Sequence, residues 1–458
     1  MNAWYPRITV HSLVVLLSVL TYILTTRVEH ERRPPSIAIA WVLGMIALPY
    51  LALPVYLMFG RRKLPRKVLP WSGIRPNCTH WAEDLIESFG LAPSAPCQAH
   101  MHQDGGESAA ALFAVMSSAA RSLDICTYIL GYDPFGREAM RLMMTQARAG
   151  VRVRLLLDGV YAIRLPRSCF KDLTGAGVQT AIFSPLFARK TQGPRNLRDH
   201  RKLVIADGAQ LWAGGRNIAA EYFTGLKGDQ PWRDLSFDLL GPVAAAAAAQ
   251  FEADWVAAGG KAGGCATAAV DTAEPGPARA GGRAQFLPSG PDQAEDTVHA
   301  LLIDACFHTR ERMLAVTPYF VPDAGLETAM RLAARRGVQI DLFLPAKSNH
   351  RLADFARSRA LRALKRAGVN IHLLPYMIHA KAIVFDDSLA LSGSVNLDSR
   401  SLLLNYECAV VFYGAREIEW LANWVQALLP EAKAFDGRTP GLLRDIVEGL
   451  LLTLAYQL

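Results

Sequence analysis

HRKLVIADGAQLWAGGRN (residues 200–217) and HAKAIVFDDSLALSGSVN (residues 379–396) are two copies of one pattern. Each copy begins with His-x-Lys-x4-Asp and ends with an asparagine seventeen residues after the histidine. With eleven histidines in the chain, chance would supply about 0.03 such motifs. The duplication therefore predicts two similar halves that each contribute the same chemistry.

The segments before the two motifs repeat as well. ARAGVRVRLLLD (147–158) and AGVQTAIFSP (176–185) precede the first motif, and ARRGVQIDLFLP (334–345) and AGVNIHLLP (367–375) precede the second. Amphipathic stretches that lead into short apolar runs are typical of helices followed by buried strands. The sequence therefore predicts the α/β class, with two similar lobes that each consist of a sheet flanked by helices.

A stretch rich in glycine, alanine and proline separates the two copies. GGKAGGCATAAVDTAEPGPARAGGR (259–283) has the composition of a flexible connection. We therefore predict a first lobe over residues 108–258, a linker over 259–284 and a second lobe over 285–458.

The N-terminus has the composition of a membrane anchor. Residues 8–26 and 37–59 contain no Asp, Glu, Lys or Arg, and both are long enough to cross a bilayer. The sequence predicts an anchor over residues 1–67 with two transmembrane helices. Six basic residues lie outside these spans and three lie between them, which places both ends and the lobes in the cytoplasm. The six are Arg7, Arg61, Arg62, Lys63, Arg66 and Lys67, and the three are Arg27, Arg32 and Arg33.

Overall composition limits the partners only broadly. The 49 basic and 41 acidic residues give a net charge of +8, which favours anionic lipid surfaces or nucleic acid as partners. The seven cysteines are scattered and never occur as Cys-x-x-Cys. Neither a disulfide framework nor a zinc site is therefore indicated, and no cofactor is expected.

The motifs supply the candidate catalytic residues. In a strand, residues two apart share a face, so His200 with Lys202 and His379 with Lys381 should project into one cleft. Such groups can attack and stabilise a phosphodiester. The last motif residues, Asp207 and Asp386, complete the catalytic candidates, although their position five residues beyond each lysine favours a structural role.

Residues downstream of each motif have predicted supporting roles. Asn217, Asn396 and Ser394 lie in glycine-containing turns that suit a phosphate cradle. Asp234 and Glu407 each precede a glycine by seven residues. Each carboxylate could accept the Nδ1 proton of the histidine in its own copy and leave Nε2 as the nucleophile.

These motifs resemble those of the phospholipase D superfamily. GGRNIAAEYF, TPYFVPD, HAKAIVFDD and GSVNLDSRSLLLNYE are similar to segments of bacterial cardiolipin synthases in particular. The resemblance implies two lobes facing each other across a shared active site. It also implies a two-step reaction through a phosphatidyl-histidine, without metal or nucleotide. His200 would be the nucleophile and His379 the general acid, in a multi-pass protein of the bacterial inner membrane.

The leading functional prediction is transfer of a phosphatidyl group from one phosphatidylglycerol to another, which gives cardiolipin and glycerol. The expected partners are phosphatidylglycerol and anionic membrane lipids, with no nucleic acid. Three alternatives stay open: a membrane phospholipase D that forms phosphatidic acid, a nuclease, and a non-catalytic membrane scaffold. Two membrane spans argue against the nuclease, and two intact His-Lys pairs argue against the scaffold.

Overall fold

The chain folds around two sheets that share one strand order. The computed structural model describes residues 10–28, 35–60, 80–185, 196–226, 228–263 and 282–441, together with residues 444 and 448. The elements that precede the first sheet are α1 (Val10–Val28), α2 (Pro35–Ala47), α3 (Pro49–Phe59), α4 (Trp81–Ser88) and β1 (Ala95–Pro96).

The first lobe contains a seven-stranded sheet with the order β2-β8-β7-β6-β3-β4-β5. Strands β3, β4 and β5 are parallel, and the other pairs are antiparallel. The elements of this lobe are β2 (Gln98–Met101), α5 (Gly105–Ser118), β3 (Ser122–Thr127), α6 (Pro134–Arg148), β4 (Arg152–Asp158), α7 (Gly159–Ala162), α8 (Arg167–Gly175), β5 (Gln179–Phe183), β6 (Leu203–Ala206), β7 (Gln210–Gly214), β8 (Ser236–Leu240) and α9 (Pro242–Ala257).

The second lobe repeats this order as β9-β17-β15-β14-β10-β12-β13, with β1 added at one edge and β18 at the other. Its pairs have the same parallel and antiparallel pattern. The prediction of two similar α/β lobes is therefore confirmed. The elements of this lobe are β9 (Arg283–Ser289), α10 (Thr297–His308), β10 (Arg312–Val316), β11 (Phe320–Val321), α11 (Ala324–Arg335), β12 (Gln339–Pro345), α12 (Arg351–Ala367), β13 (Asn370–Leu374), β14 (Ala382–Phe385), β15 (Leu389–Gly393), β16 (Leu397–Asp398), α13 (Ser399–Leu403), β17 (Glu407–Phe412), α14 (Ala415–Gln426) and β18 (Lys433–Ala434).

Local sequence explains the helix–strand units of each lobe. Helix α6 begins where the Asp133 side chain accepts a hydrogen bond from the Gly136 N–H at 2.9 Å, and Pro134 occupies its first turn. The helix then buries one apolar face, which includes Met143. The following strand, β4, is buried along nearly its whole length, as expected for a parallel strand covered on both faces.

The chain crosses between the lobes before the first sheet starts. Helix α4 buries Ala82 and Ile86 in the core of the second lobe, and β1 pairs with β9 of the same lobe. Strand β2, which follows β1 directly, opens the first sheet at Gln98. The first sheet thus begins upstream of residue 108, where the sequence analysis placed the start of its lobe.

The two lobes share an apolar core. One cluster of buried side chains contains Leu203 and Phe237 of the first sheet together with Val384 and Phe412 of the second. The rings of Phe237 and Phe412 meet edge to face with their centroids 5.3 Å apart. This shared core fixes the relative position of the two halves.

The predicted membrane spans differ from the N-terminal helices. Residues 8–26 correspond largely to α1, but residues 37–59 are divided into α2 and α3 at Leu48, which precedes Pro49. None of the helices in the described part of the chain is both long and apolar enough to cross a membrane. The structure therefore does not confirm the two predicted transmembrane helices.

The last aspartate of each motif lies in a turn outside the cleft. Asp207 has a φ of 54° and follows β6, and its carboxylate accepts the backbone N–H groups of Ala120, Arg121 and Ser122 at 2.7–2.9 Å. This geometry ties the β6–β7 turn to the start of β3. Asp207, predicted as a catalytic candidate, therefore has a structural role here.

Asp386 makes the same contacts in the second lobe. Its φ is 48°, and its carboxylate accepts the N–H groups of Arg310, Glu311 and Arg312 at 2.9 Å. It is therefore structural as well, which agrees with the position of both aspartates five residues beyond the lysines.

We expect Asp207→Ala to lower the free energy of unfolding by about 2 kcal/mol, because three backbone donors lose a charged acceptor. Asp207→Asn should lose less, since Asn keeps one acceptor oxygen and tolerates a positive φ. Urea unfolding of the purified full chain measures both. The control is Asp387→Ala, which removes an exposed ion pair with Arg312 and should change stability little. If Asp207→Ala abolished enzymatic activity without lowering the free energy of unfolding, Asp207 would have a catalytic role instead.

Candidate active site

Two short parallel bridges cross between the lobes at the motifs. Asp199, before the first motif histidine, pairs with Tyr406 of the second lobe, and Arg233 of the first lobe pairs with Ile378. The backbone N–H of His200 donates to the Tyr406 carbonyl at 2.8 Å. Residues that follow a parallel bridge lie side by side. His200 therefore lies beside Glu407, and His379 lies beside Asp234.

The bridges give each histidine a carboxylate from the opposite lobe. The Nδ1 atom of His200 lies 2.9 and 3.0 Å from the two carboxylate oxygens of Glu407. The Nδ1 atom of His379 lies 2.7 Å from Oδ2 of Asp234. The predicted pairing within each copy is therefore wrong, because the carboxylates are exchanged between the lobes. Both Nδ1 protons are still held, which leaves each Nε2 available for chemistry.

Glu407 is held by hydroxyl groups from its own lobe. Ser394 and Ser401 both donate short hydrogen bonds to its carboxylate. Ser394 also accepts the Cys408 N–H at 3.0 Å. These contacts position the carboxylate that orients His200, so the hydrogen bonds of Ser394 do not support its predicted contact with substrate phosphate.

Asp234 has a different support in the first lobe. Gly215 occupies the position equivalent to Ser394, and a Cβ atom there would overlap the Asp234 carboxylate. Gly214 has a φ of 138° and passes close to the Leu235 carbonyl. The glycines predicted to cradle phosphate therefore make room for the carboxylate that holds His379.

The two lysines lie against their own histidines. Lys202 and Lys381 are both buried. The Nζ atom of Lys202 donates to the His200 carbonyl at 2.6 Å. The Nζ atom of Lys381 donates to the His379 carbonyl and lies 2.9 Å from Nδ1 and 3.1 Å from Nε2 of that imidazole. Each motif thus places a cation beside its imidazole, where a phosphate oxygen would be stabilised. His200 and Lys202 precede β6 rather than lying within it.

The two asparagines are buried beside the motifs. The Asn217 amide donates to the Tyr222 hydroxyl at 2.8 Å and accepts the Ile129 N–H at 3.2 Å. The Oδ1 atom of Asn396 has no hydrogen-bond partner among the described residues, and its backbone N–H donates to the Ser401 hydroxyl at 2.9 Å. Their role in phosphate binding stays a prediction.

Aromatic rings surround the histidines. Tyr128 meets His200 edge to face with centroids 4.9 Å apart. Tyr222 meets His379 in the same way at 5.1 Å, with Trp232 tilted at 5.7 Å. These rings shield both imidazoles, whose side chains are 12% exposed for His200 and 5% exposed for His379, and create the low-dielectric surroundings in which charges act strongly.

Burial controls protonation of the histidines. It lowers the pKa of His200 to about 4 against the opposing charge of Glu407. Burial and then the adjacent charge of Lys381 lower the pKa of His379 to about 3. Both imidazoles are therefore neutral near pH 7 in the free protein.

The same burial acts on the lysines and the carboxylates. It lowers the pKa of Lys202 to about 8 and that of Lys381 to about 7. Burial by itself raises the pKa of Asp234, but its interactions with His379, Lys381 and Arg216 together outweigh this and lower the pKa. The ammonium protons of Lys202 and Lys381 are therefore weakly held, and a bound phosphate would stabilise the protonated form of both lysines.

Tyr222 and Ser401 were missed in the sequence analysis. Each lies five residues after the asparagine of its copy, Asn217 or Asn396, and each contacts that asparagine. The repeated offset is the signal that could have found them. Arg198, two residues before His200, is buried and donates hydrogen bonds to Asp158 and Ser184.

Two similar lobes, with two His-x-Lys motifs that meet at the boundary between them, define the phospholipase D class. A family model described as "Cardiolipin synthase, PLD-like domain" matches residues 112–255 and 302–429. A second, described as "Phospholipase_D-nuclease N-terminal", matches residues 12–61. The chain belongs to the cardiolipin synthase family of phospholipase D-like proteins.

Relatives agree with this assignment, and a solved structure has a similar fold. Cardiolipin synthase A of Pseudomonas putida is 31% identical over 399 residues, which cover 82% of each chain. The protein of that name from Pseudomonas fluorescens is 30% identical over 422 residues, or 86% of each chain. A phosphatidylserine synthase from Haemophilus influenzae has a similar fold, with a TM-score of 0.62 at 13% identity over 83% of this chain and 100% of that chain.

We expect the affinity for sulfate, an anion whose own charge is constant, to fall as pH rises above about 7. The pKa of Lys381 is about 7 in the free protein, and a bound anion raises it. Above about pH 7 the lysine must therefore take up a proton when the anion binds. The affinity for the anion then falls by up to tenfold per pH unit for each proton taken up. Calorimetry at constant ionic strength from about pH 6 to about pH 9 measures this dependence.

The matched variant is Lys381→Arg, whose guanidinium stays charged throughout this range. It should flatten the pH dependence near pH 7 while leaving the component from Lys202. An affinity that does not change with pH in the unsubstituted protein would contradict the assigned protonation states.

Proposed function

We propose that this protein is a cardiolipin synthase that transfers a phosphatidyl group between two molecules of phosphatidylglycerol. The observation that carries the proposal is the pair of crossed His–carboxylate contacts in one cleft, with a lysine beside each histidine. Membership of the cardiolipin synthase family supports phosphatidylglycerol as the substrate.

In the first step, Nε2 of His200 attacks the phosphorus of one phosphatidylglycerol. The bond from phosphorus to the headgroup glycerol oxygen breaks, and protonated His379 donates its proton to that oxygen, so that glycerol leaves. Lys202 and Lys381 stabilise the charge on the equatorial phosphate oxygens. Because His379 is neutral in the free protein, the substrate phosphate must raise the pKa of this imidazole before it can act as an acid.

In the second step, a primary hydroxyl of the second phosphatidylglycerol attacks the phosphatidyl-histidine. Neutral His379 removes the hydroxyl proton, a new phosphorus–oxygen bond forms, and the bond between phosphorus and His200 breaks. The products are cardiolipin and a neutral His200 still held through Nδ1 by Glu407. Exclusion of water by Tyr128, Tyr222 and Trp232 favours the alcohol over water as the acceptor.

The full chain in vesicles that contain phosphatidylglycerol as the only lipid should produce cardiolipin and glycerol in equal amounts. His200→Ala and His379→Ala should each lower the rate at least about 10³-fold. His308→Gln, a change at a half-exposed histidine, is the control and should keep the rate. Lipid mass spectrometry measures the products. Phosphatidic acid in place of cardiolipin would make the protein a hydrolase.

We also infer that the N-terminal helices anchor the protein in the bacterial inner membrane, with the lobes on the cytoplasmic side. Apolar side chains of α1 and α3 are exposed, including Leu16 at 64% and Leu51 at 63%, and such a surface is typical of lipid contact. Tyr22 and Tyr56 join these helices, with ring centroids 5.4 Å apart. The excess of basic residues outside the predicted spans supports the orientation.

Cysteine labelling tests this orientation. Cys265 lies in the predicted linker, outside the described residues, whereas five other cysteines are buried: Cys97, Cys126, Cys169, Cys306 and Cys408. An impermeant maleimide should label the protein only after spheroplasts are permeabilised, and Cys265→Ser should remove a share of that label. Label on intact spheroplasts that disappears in Cys265→Ser would place the lobes outside.

A further inference from the structure

A second group of polar side chains lies at the edge of the first sheet. His100 is on the edge strand β2, His102 follows that strand, and Asp238 lies opposite His100 on β8. Three strand spacings separate β2 from β6, so this group is roughly 14 Å from the strand that follows His200. It therefore does not belong to the cleft described above.

The ligand atoms of this group converge on one point. Nε2 of His102 lies 2.8 Å from Oδ1 of Asp238, and Nδ1 of His100 lies 3.3 Å from the same oxygen. One ligand atom from each of the three residues lies within 4.8 Å of the others. In a tetrahedral zinc site with bonds of roughly 2.0 to 2.1 Å, ligand atoms are roughly 3.3 Å apart. The two spacings to the Asp238 oxygen, 2.8 and 3.3 Å, are close to this value.

His100 has a second carboxylate on its other side. Its Nε2 lies 3.0 Å from Oε1 of Glu107, while its Nδ1 faces Asp238. A neutral imidazole has a single N–H, so if it donates to Glu107, the Nδ1 lone pair faces an Asp238 oxygen. A cation bound between Nδ1 and that oxygen removes this repulsion. The contact with Glu107 is the outer-sphere contact that orients metal-bound histidines.

We propose that His100, His102 and Asp238 bind one divalent transition-metal ion, best matched by zinc, and that Glu107 orients His100. Two imidazoles and one carboxylate form a donor set that zinc prefers. Asp238 and Glu107 bring two carboxylates to His100, and Arg416 and Glu417 line the cavity beside it. The cavity has a volume of about 340 Å³, and 57% of the His100 side chain is exposed, so water can reach the site from this side.

The proposed site is structural rather than catalytic. It joins β2, the edge strand, to β8, and β8 begins two residues after Asp234, which holds His379. Metal binding should therefore stabilise the edge of the first lobe. Because the phosphate chemistry uses the distant histidines and lysines, phosphatidyl transfer should survive removal of the metal.

Cobalt binding to the detergent-solubilised full chain tests the site. After treatment with EDTA and desalting, the protein should bind one equivalent of Co²⁺, give the visible absorption of four-coordinate cobalt, and release it to Zn²⁺. His100→Gln and Asp238→Asn should each weaken binding at least tenfold, and Glu107→Gln should weaken it about 10- to 100-fold. The control is His372→Gln, which alters a His–Asp pair of 2.7 Å with one histidine and should bind cobalt normally.

Two results would overturn the proposal: no stoichiometric cobalt uptake by the unsubstituted protein, or uptake that His100→Gln and Asp238→Asn leave unchanged. The assay with phosphatidylglycerol vesicles separates this site from the proposed function. Turnover that persists in EDTA while bound metal is lost supports the structural site. Turnover that stops on chelation and returns with one divalent ion contradicts it.

Discussion

The exchange of carboxylates between the lobes is the contact on which the active site depends. His200 is held by Glu407 and His379 by Asp234, each across the boundary between the two sheets. A single lobe therefore contains a histidine and a lysine but not the group that fixes the imidazole. Both halves must be assembled before either histidine has a defined tautomer.

The packing between the lobes holds the exchanged carboxylates beside their histidines. Phe237 and Phe412 belong to the shared apolar core, and Arg201 adds a buried polar contact. Its guanidinium donates to Asp254 of the first lobe at 2.5 Å and to the Glu407 carbonyl of the second lobe at 2.9 Å. Removing one partner of such a buried contact leaves an uncompensated charge. The region around Glu407 is thus fixed from both lobes.

Much of the fold was predictable from the sequence because the same pattern of motifs and helix–strand units occurs in two copies. The helix–strand units and the spacing of the motifs follow from local periodicity, and the lysine beside each histidine follows from a spacing of two residues. The exchange of Asp234 and Glu407 could not be predicted in this way, since spacing within a repeat is the same whether the partner lies in the same copy or in the other.

Tertiary contacts also decided roles that the local pattern left open. Ser394 lies in a turn with the composition of a phosphate cradle, yet its hydroxyl is used by Glu407. His100 and His102 have the His-x-His spacing of metal ligands, but the sequence shows nothing of Asp238, which lies 136 residues beyond His102 and reaches it only through the pairing of β2 with β8. Residues far apart in the chain carry no mutual signal in a single sequence.

Formation of the phospho-histidine in a His379→Ala background tests the crossed pairing most directly. With a p-nitrophenyl phosphodiester, whose leaving group needs no acid, His200 should still be phosphorylated, and the adduct should accumulate because the base for the second step is absent. Adding Glu407→Gln should slow adduct formation about 10²- to 10⁴-fold, whereas adding Asp234→Asn should leave the rate unchanged. If Asp234→Asn slows the reaction and Glu407→Gln does not, the histidines are oriented within their own lobes and the account is wrong.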